Sequence, residues 1–108
     1  MVKFFTAHKD GTWIESEGEL ISIPEMPEFQ FVIHPYGNEF RVSEFSSGLF
    51  TGRGNTRMEA INQANQKLAD ASTERIAAVK AQARAKAKER EEWIFQQAIK
   101  QAEGLCPK

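Results

Sequence analysis

Between Asn55 and Glu103 the chain carries neither glycine nor proline, the two residues least compatible with a helix interior. The stretch opens on Thr56-Arg57-Met58-Glu59. This is a capping box: the Thr56 hydroxyl accepts from the amide of Glu59, and the Glu59 carboxylate reaches back to the amide of Thr56. Gly104 and Pro107 supply the stop, one as a left-handed cap and one as a residue that cannot continue a helix. Nearly half of the 108 residues are thus committed to helix. A rod of that length cannot lie wholly on the small sheet that the preceding residues can build. Its excess has to meet another part of the chain or another molecule.

The first half alternates short apolar runs with turn signals. Val2–Ala7 predicts a strand and Lys9-Asp10-Gly11 a tight turn; Thr12–Glu15 returns, Glu17-Gly18 turns again, and Glu19–Ile23 is a third strand. Pro24 and Pro27 interrupt the sheet, because proline donates nothing to a ladder. Phe29, Phe31 and Ile33 then alternate with Gln30, Val32 and His34, which puts three large apolar groups on one face and turns His34 outward. Pro35-Tyr36-Gly37-Asn38 turns into Glu39–Phe45, and Ser46-Ser47-Gly48 into Leu49–Thr51. The expected fold is α+β in one domain. An antiparallel meander fills residues 1–55, one long helix with its first turns on the sheet fills 56–103, and 104–108 form a tail.

Along the helix Ile61, Leu68, Ile76, Val79, Ala83, Ala87, Ile94, Ala98 and Leu105 share one stripe, interrupted by Ser72 and Arg90. Its period is near ~3.67 residues, that of a nearly straight helix. Past Glu92, Trp93, Ile94, Phe95 and Ile99 restore bulk to a stripe that had thinned to alanine. A continuous helix carries Trp93 roughly 55 Å from Thr56, whereas a six-residue strand spans only about 20 Å. Trp93 is therefore expected to overhang the sheet. A break near residues 70–73 is the alternative, with Asp70, Ser72 or Thr73 as a second cap, although none has Glu or Gln three residues later. The favoured picture is one rod, straight or bent there, that does not fold back.

Charge is unevenly spread. Residues 1–50 hold eight carboxylates against three bases, a net of −5, and residues 75–90 hold six bases against one acid, a net of +5. Such asymmetry points to charged partners. Lys80, Arg84 and Lys88 recur every four residues on one helix face and, with Arg53, can follow nucleic-acid phosphates. No aromatic is interleaved among them, and the first half is acidic, so a solvated face is the plainer reading. Glu15, Glu17, Glu19, Glu25 and Glu28 can instead form an acidic surface that competes for a basic groove. Gly52-Arg53-Gly54-Asn55-Thr56 precedes a helix N-terminus and can hold an anion, but lacks both dinucleotide and P-loop signatures. His8 and His34 are not spaced for a metal, and Cys106 is alone. His34, Glu44 and Cys106 belong to no catalytic motif. No enzyme activity, cofactor or metal is expected, and no membrane span; a cytoplasmic protein is the default.

Residues 42–61 carry a resemblance. Val42-Ser43-Glu44-Phe45-Ser46-Ser47-Gly48-Leu49, then Gly54-Asn55-Thr56-Arg57-Met58-Glu59-Ala60-Ile61, form a meander ending in a Gly-x-Thr-x-x-Glu-Ala helix start. It is similar to HicB-like antitoxin domains and to the arm-binding domains of phage integrases. Size, charge asymmetry and the lack of a catalytic motif also resemble small phage and prophage proteins, including inhibitors of the anti-CRISPR type. No functional residue is carried across from either. The expected function is non-enzymatic binding of another protein or ribonucleoprotein complex, as a mobile-element inhibitor would bind. Trp93, Phe95 and Ile99 are its apolar anchors, the five glutamates its acidic surface, and a homodimer through the helix is expected. A nucleic-acid-binding module along the basic face is the alternative.

Overall fold

A computed structural model describes residues 1–7 and 10–105. Five strands come first: β1 (Val2–Ala7), β2 (Trp13–Ile21), β3 (Phe31–Tyr36), β4 (Glu39–Glu44) and β5 (Phe50–Gly54). Two helices follow, α1 (Arg57–Ala69) and α2 (Thr73–Leu105). The strands pair antiparallel in chain order, β1-β2-β3-β4-β5, as an α+β meander. The β3–β4 hairpin closes on Gly37-Asn38 with positive φ only at Gly37 (60°), the pattern of a type II′ turn.

Two glycine signals act differently from expectation. Gly18 does not turn the chain; it sits inside β2, whose first part pairs with β1 and whose last part pairs with β3. A Cβ there would lie 2.4 Å from Val32 Cγ1 and 2.5 Å from the Ile33 carbonyl oxygen, so glycine serves close strand packing. Gly52 and Gly54 likewise belong to β5 rather than to a loop. A Cβ on Gly52 would stand 2.7 Å from the amide nitrogen of Ala64. The missing side chain lets α1 lie directly on β5, with Ala60 and Ala64 fully buried.

Phe31, Ile33 and Val42 from the sheet meet Ile23, Met26 and the Ala60, Ala64 and Leu68 face of α1; Ile76 and Val79 of α2 close the same core. The opposite face of β3 is covered too. Val32 and His34 are buried there, and the Phe4 ring meets the His34 ring edge-on at 4.7 Å. Thus His34 does not face solvent, because the sheet curls until β1 covers it. The curl ends where β1 meets the β4–β5 connection: a Cβ on Gly48 would lie 2.1 Å from the Phe5 carbonyl oxygen.

The helix is broken, and without glycine or proline. At the end of α1 the amide of Asp70 donates to the Gln66 carbonyl and that of Ala71 to the Leu68 carbonyl. Ser72 then caps α2, its Oγ accepting from the amide of Arg75 at 3.1 Å. The capping box at α1 is present with one shift: Thr56 Oγ1 accepts from Glu59, but Glu59 accepts from the amide of Asn55. At the other end α2 runs through Gly104 to Leu105, so Gly104 does not stop it. Cys106 and Pro107, like His8 and Lys9, lie outside the described residues.

Along α2 the side turned toward the rest of the molecule runs Ile76, Val79, Ala83, Lys86, Arg90, Trp93, Gln97. These residues alternate spacings of three and four, a period of about 3.5 that keeps one seam inward. The ~3.67 stripe stays on the half-buried side through Ala87 and departs at Ile94, which is exposed where Trp93 is half-buried. The helix passes Glu28 and Phe29, crosses the ends of β3 and β4 at Phe45, and reaches β1 at Phe5. The long axis measures 57 Å, most of it the length of α2.

Candidate functional site

The bulky cluster near the end of α2 divides between two surroundings. Trp93 is turned inward, half-buried, with its ring centroid 5.9 Å from that of Phe5. This corrects the expectation that Trp93 overhangs the sheet: the break at Asp70–Ser72 redirects α2 and brings Trp93 onto β1. Ile99 is half-buried as well. Phe95 is the outward member, 64% exposed, beside Ile94 at 38%. From Trp93 the helix continues to Leu105, roughly 18 Å further. Glu91 and Glu92 are exposed one turn before Phe95.

The five glutamates do not form one continuous acidic surface. Glu15 pairs with Lys3 at 3.7 Å, Glu19 with Arg57, and Glu28 with Lys80 at 2.5 Å. The Lys80 ammonium holds the Glu28 carboxyl below the usual carboxylate range, with help from Arg84. Glu25 is half-buried, with Oε2 out of solvent and without a hydrogen-bond donor. Glu17 is exposed on β2, in register with Lys3. Solvent screens pairs of this kind and leaves them little net stabilisation, so their consequence is charge neutralisation.

The basic stripe of α2 is similarly engaged. Lys80 is held by Glu28, the Arg84 guanidinium stands 5.5 Å from the Phe29 ring centroid, and Arg90 donates to the Phe45 carbonyl. Lys88 is exposed. At the start of α1 the Glu59 carboxylate accepts from the Asn55 amide and so places a negative charge where an external anion would come. Arg53 projects from β5, in register with Arg41 of β4.

That register assembles a feature that strand alternation foreshadows but that only the paired strands bring together. His34, Tyr36, Arg41, Ser43 and Phe50 share the concave face of β3, β4 and β5, around a cavity of about 540 Å3. The Arg41 guanidinium lies 3.8 Å from the Tyr36 ring centroid and 4.9 Å from that of Phe50. Glu39 accepts from Arg41 Nε and Nη2 at 3.2 and 3.1 Å. On the floor, His34 Nε2 lies 2.9 Å from Ser43 Oγ, and His34 Nδ1 3.4 Å from the Pro35 carbonyl oxygen. A carbonyl only accepts, so Nδ1 carries the proton and Nε2 accepts from the Ser43 hydroxyl.

This pair has the elements of a nucleophile and base, but not their setting. A carbonyl rather than a carboxylate orients the imidazole, and Ser43 is buried. Burial pushes the His34 pKa down, reinforced by Arg41 and opposed by the Pro35 carbonyl. The unfolded chain, near ~6.5, therefore takes up the proton first as pH falls. Neutral His34 contributes stability that is complete above that value and lost as pH drops through the lower folded value. Replacing His34 with Gln is expected to flatten the loss of stability between neutral and mildly acidic pH, read as urea midpoints of the two proteins across that range.

Among the described residues no three His, Cys, Asp or Glu side chains gather to hold a metal ion, and no helix is long and apolar enough to cross a membrane. No family model matches the chain, and neither a curated protein nor a solved structure matches it significantly.

Proposed function

We propose that this chain works by binding another protein or ribonucleoprotein complex in the cytoplasm, without catalysis, as an inhibitor of the mobile-element type. The observation that carries this reading is Phe95: a large aromatic, 64% exposed, on a helix that runs past its last ring contact with the sheet. With Ile94 beside it and Glu91 and Glu92 a turn away, the fitting partner offers an apolar cleft with a basic rim. Grooves that handle nucleic acid have such rims. Glu17 extends the acidic character onto β2. The rival along Lys80, Arg84 and Lys88 has less behind it, because Glu28 and Phe29 already engage the first two.

Phe95→Ala tests the proposal. An aromatic anchor of this kind contributes at least ~2 kcal/mol, or roughly 30-fold in affinity, while an exposed side chain leaves stability within about 0.5 kcal/mol. The expected result is a partner that nuclease-treated wild-type protein retains and Phe95→Ala releases, at unchanged melting temperature. Light scattering on the same two proteins reads the other occupant, a second copy: a dimer that Phe95→Ala dissolves would identify it. Equal retention by wild type and Phe95→Ala would remove the helix end from the function.

A further inference from the structure

The concave sheet face holds an arrangement that core packing does not require. Tyr36 is 49% exposed and Phe50 42%, on strands β3 and β5, with the planar Arg41 cation against both rings. Beneath them lies the buried His34–Ser43 pair, and the cavity is within the ~300–1,000 Å3 range of ligand sites. We propose that this face binds a nucleotide, its heteroaromatic base stacked on Tyr36 and Phe50 above the His34–Ser43 floor and its phosphate held by Arg53.

Stacking is the first argument. Aromatic rings and guanidinium planes are the surfaces on which bases stack, and every base offers a π-face, so the site is tolerant of base identity. Here the Arg41 guanidinium lies over the Tyr36 ring and toward Phe50, and both rings remain nearly half exposed. The floor beneath the rings is polar, with the buried Ser43 hydroxyl donating to His34 Nε2.

Charge assigns the roles of the two arginines. Glu39 occupies Nε and one Nη of Arg41, so Arg41 serves as a stacking plane. Arg53, exposed and in register with it, is the partner for phosphate. Lys67 of α1, the helix on the other face of the sheet, brings its ammonium to 5.3 Å from the Phe50 ring centroid. The opposing charges are Glu39, engaged by Arg41, and Asp10 at the mouth, whose carboxylate accepts from the Thr12 amide and hydroxyl at 3.0 and 2.6 Å. The phosphate therefore lies toward β5, away from Asp10. A base paired in a duplex cannot expose its face to such a platform. The ligand is a free nucleotide or one residue of a single strand.

Four probes separate those sources: AMP and UMP, and fluorescein-labelled octamers of thymidylate and uridylate, each titrated into the full chain at low ionic strength. Amide resonances report where binding occurs, and anisotropy reports its strength. At least one probe is expected to shift Tyr36, Arg41, Ser43 and Phe50. Tyr36→Ala and Phe50→Ala should each weaken it roughly 5- to 150-fold, with circular dichroism confirming that both variants fold. Arg53→Gln should reduce the logarithmic salt slope by about one, and Lys88→Gln on α2 should change nothing. Octamers binding while mononucleotides do not assigns the face to single strands; comparable binding of both assigns it to free nucleotides. Two results overturn the proposal: no shift with any probe, or binding that survives both aromatic substitutions. Neither touches the reading of Phe95, whose variant leaves this face intact.

Discussion

Gly48→Ala is expected to destabilise the protein by about 3 kcal/mol, the sum of left-handed backbone strain and overpacking. Gly48 sits at φ 69°, and its added Cβ would lie 2.1 Å from the Phe5 carbonyl oxygen and 3.0 Å from Thr6 Cα. All of these are backbone atoms. No side-chain rotation can relieve the conflict, so the β4–β5 connection or β1 itself must move. Gly37 supplies the control: its φ is 60°, yet nothing stands within 4 Å of its added Cβ. Gly37→Ala should therefore cost only the backbone strain, about 1 kcal/mol. The difference between the two variants isolates the contact that closes the curled sheet. Against a total stability of about 5–15 kcal/mol, the Gly48 variant should melt roughly 15 °C below wild type. Equal losses in the two variants would mean that β1 does not reach the β4–β5 connection, and the concave face would be open on that side.

Local chemistry was legible in the sequence wherever neighbours along the chain decide the outcome. The Thr56–Glu59 box starts α1, and the alternation of Phe31 and Ile33 fixes which side of β3 meets the helices. The α+β meander followed from those signals and from the turn at Gly37. What escaped was set by residues far apart in sequence. Gly18 has the composition of a turn, but its position is dictated by Val32 and His34 packing against it. His34 alternates away from Phe31, yet is buried because β1 arrives from the other end of the chain. The break at Asp70-Ala71-Ser72 was legible as the alternative, with Ser72 among its candidate caps, but the pull of the core on Ile76 and Val79 that decides it was not. Trp93 then follows from the break: a redirected helix presents a different seam.

The same logic applies to the candidate sites. Charge counts identified glutamates and bases as available surfaces, whereas pairing across elements consumes several of them: Glu19 with Arg57, Glu28 with Lys80. Formal charge measures what a chain carries. It does not measure what folding leaves exposed. The platform of Tyr36, Arg41 and Phe50 was hidden for the complementary reason, since it exists only once three strands align.

Glu44→Ala is expected to cost about 3–5 kcal/mol, because charge-assisted hydrogen bonds contribute about 1.5–3 kcal/mol each and buried donors left unpaired add to the loss. The buried carboxylate accepts four hydrogen bonds, from the amides and the hydroxyls of Ser46 and Ser47. It thereby shapes the turn that carries Gly48 to β1 and presents the Phe45 carbonyl to Arg90. Glu44→Gln keeps the volume and one acceptor oxygen but turns an amide N–H toward a donor, so its loss should fall between wild type and alanine. A second readout distinguishes this role from ordinary core loss. Because the turn also docks α2, Glu44→Ala should release Trp93 from Phe5 before the sheet unfolds, seen as a red shift of tryptophan emission and faster amide exchange beyond residue 85. Trp13, buried in β2, contributes a background that the Trp13→Phe form removes. If Glu44→Ala lowers stability while the Trp93 signal and exchange stay native until global unfolding, the turn supports the sheet alone, and α2 is held by its own apolar seam.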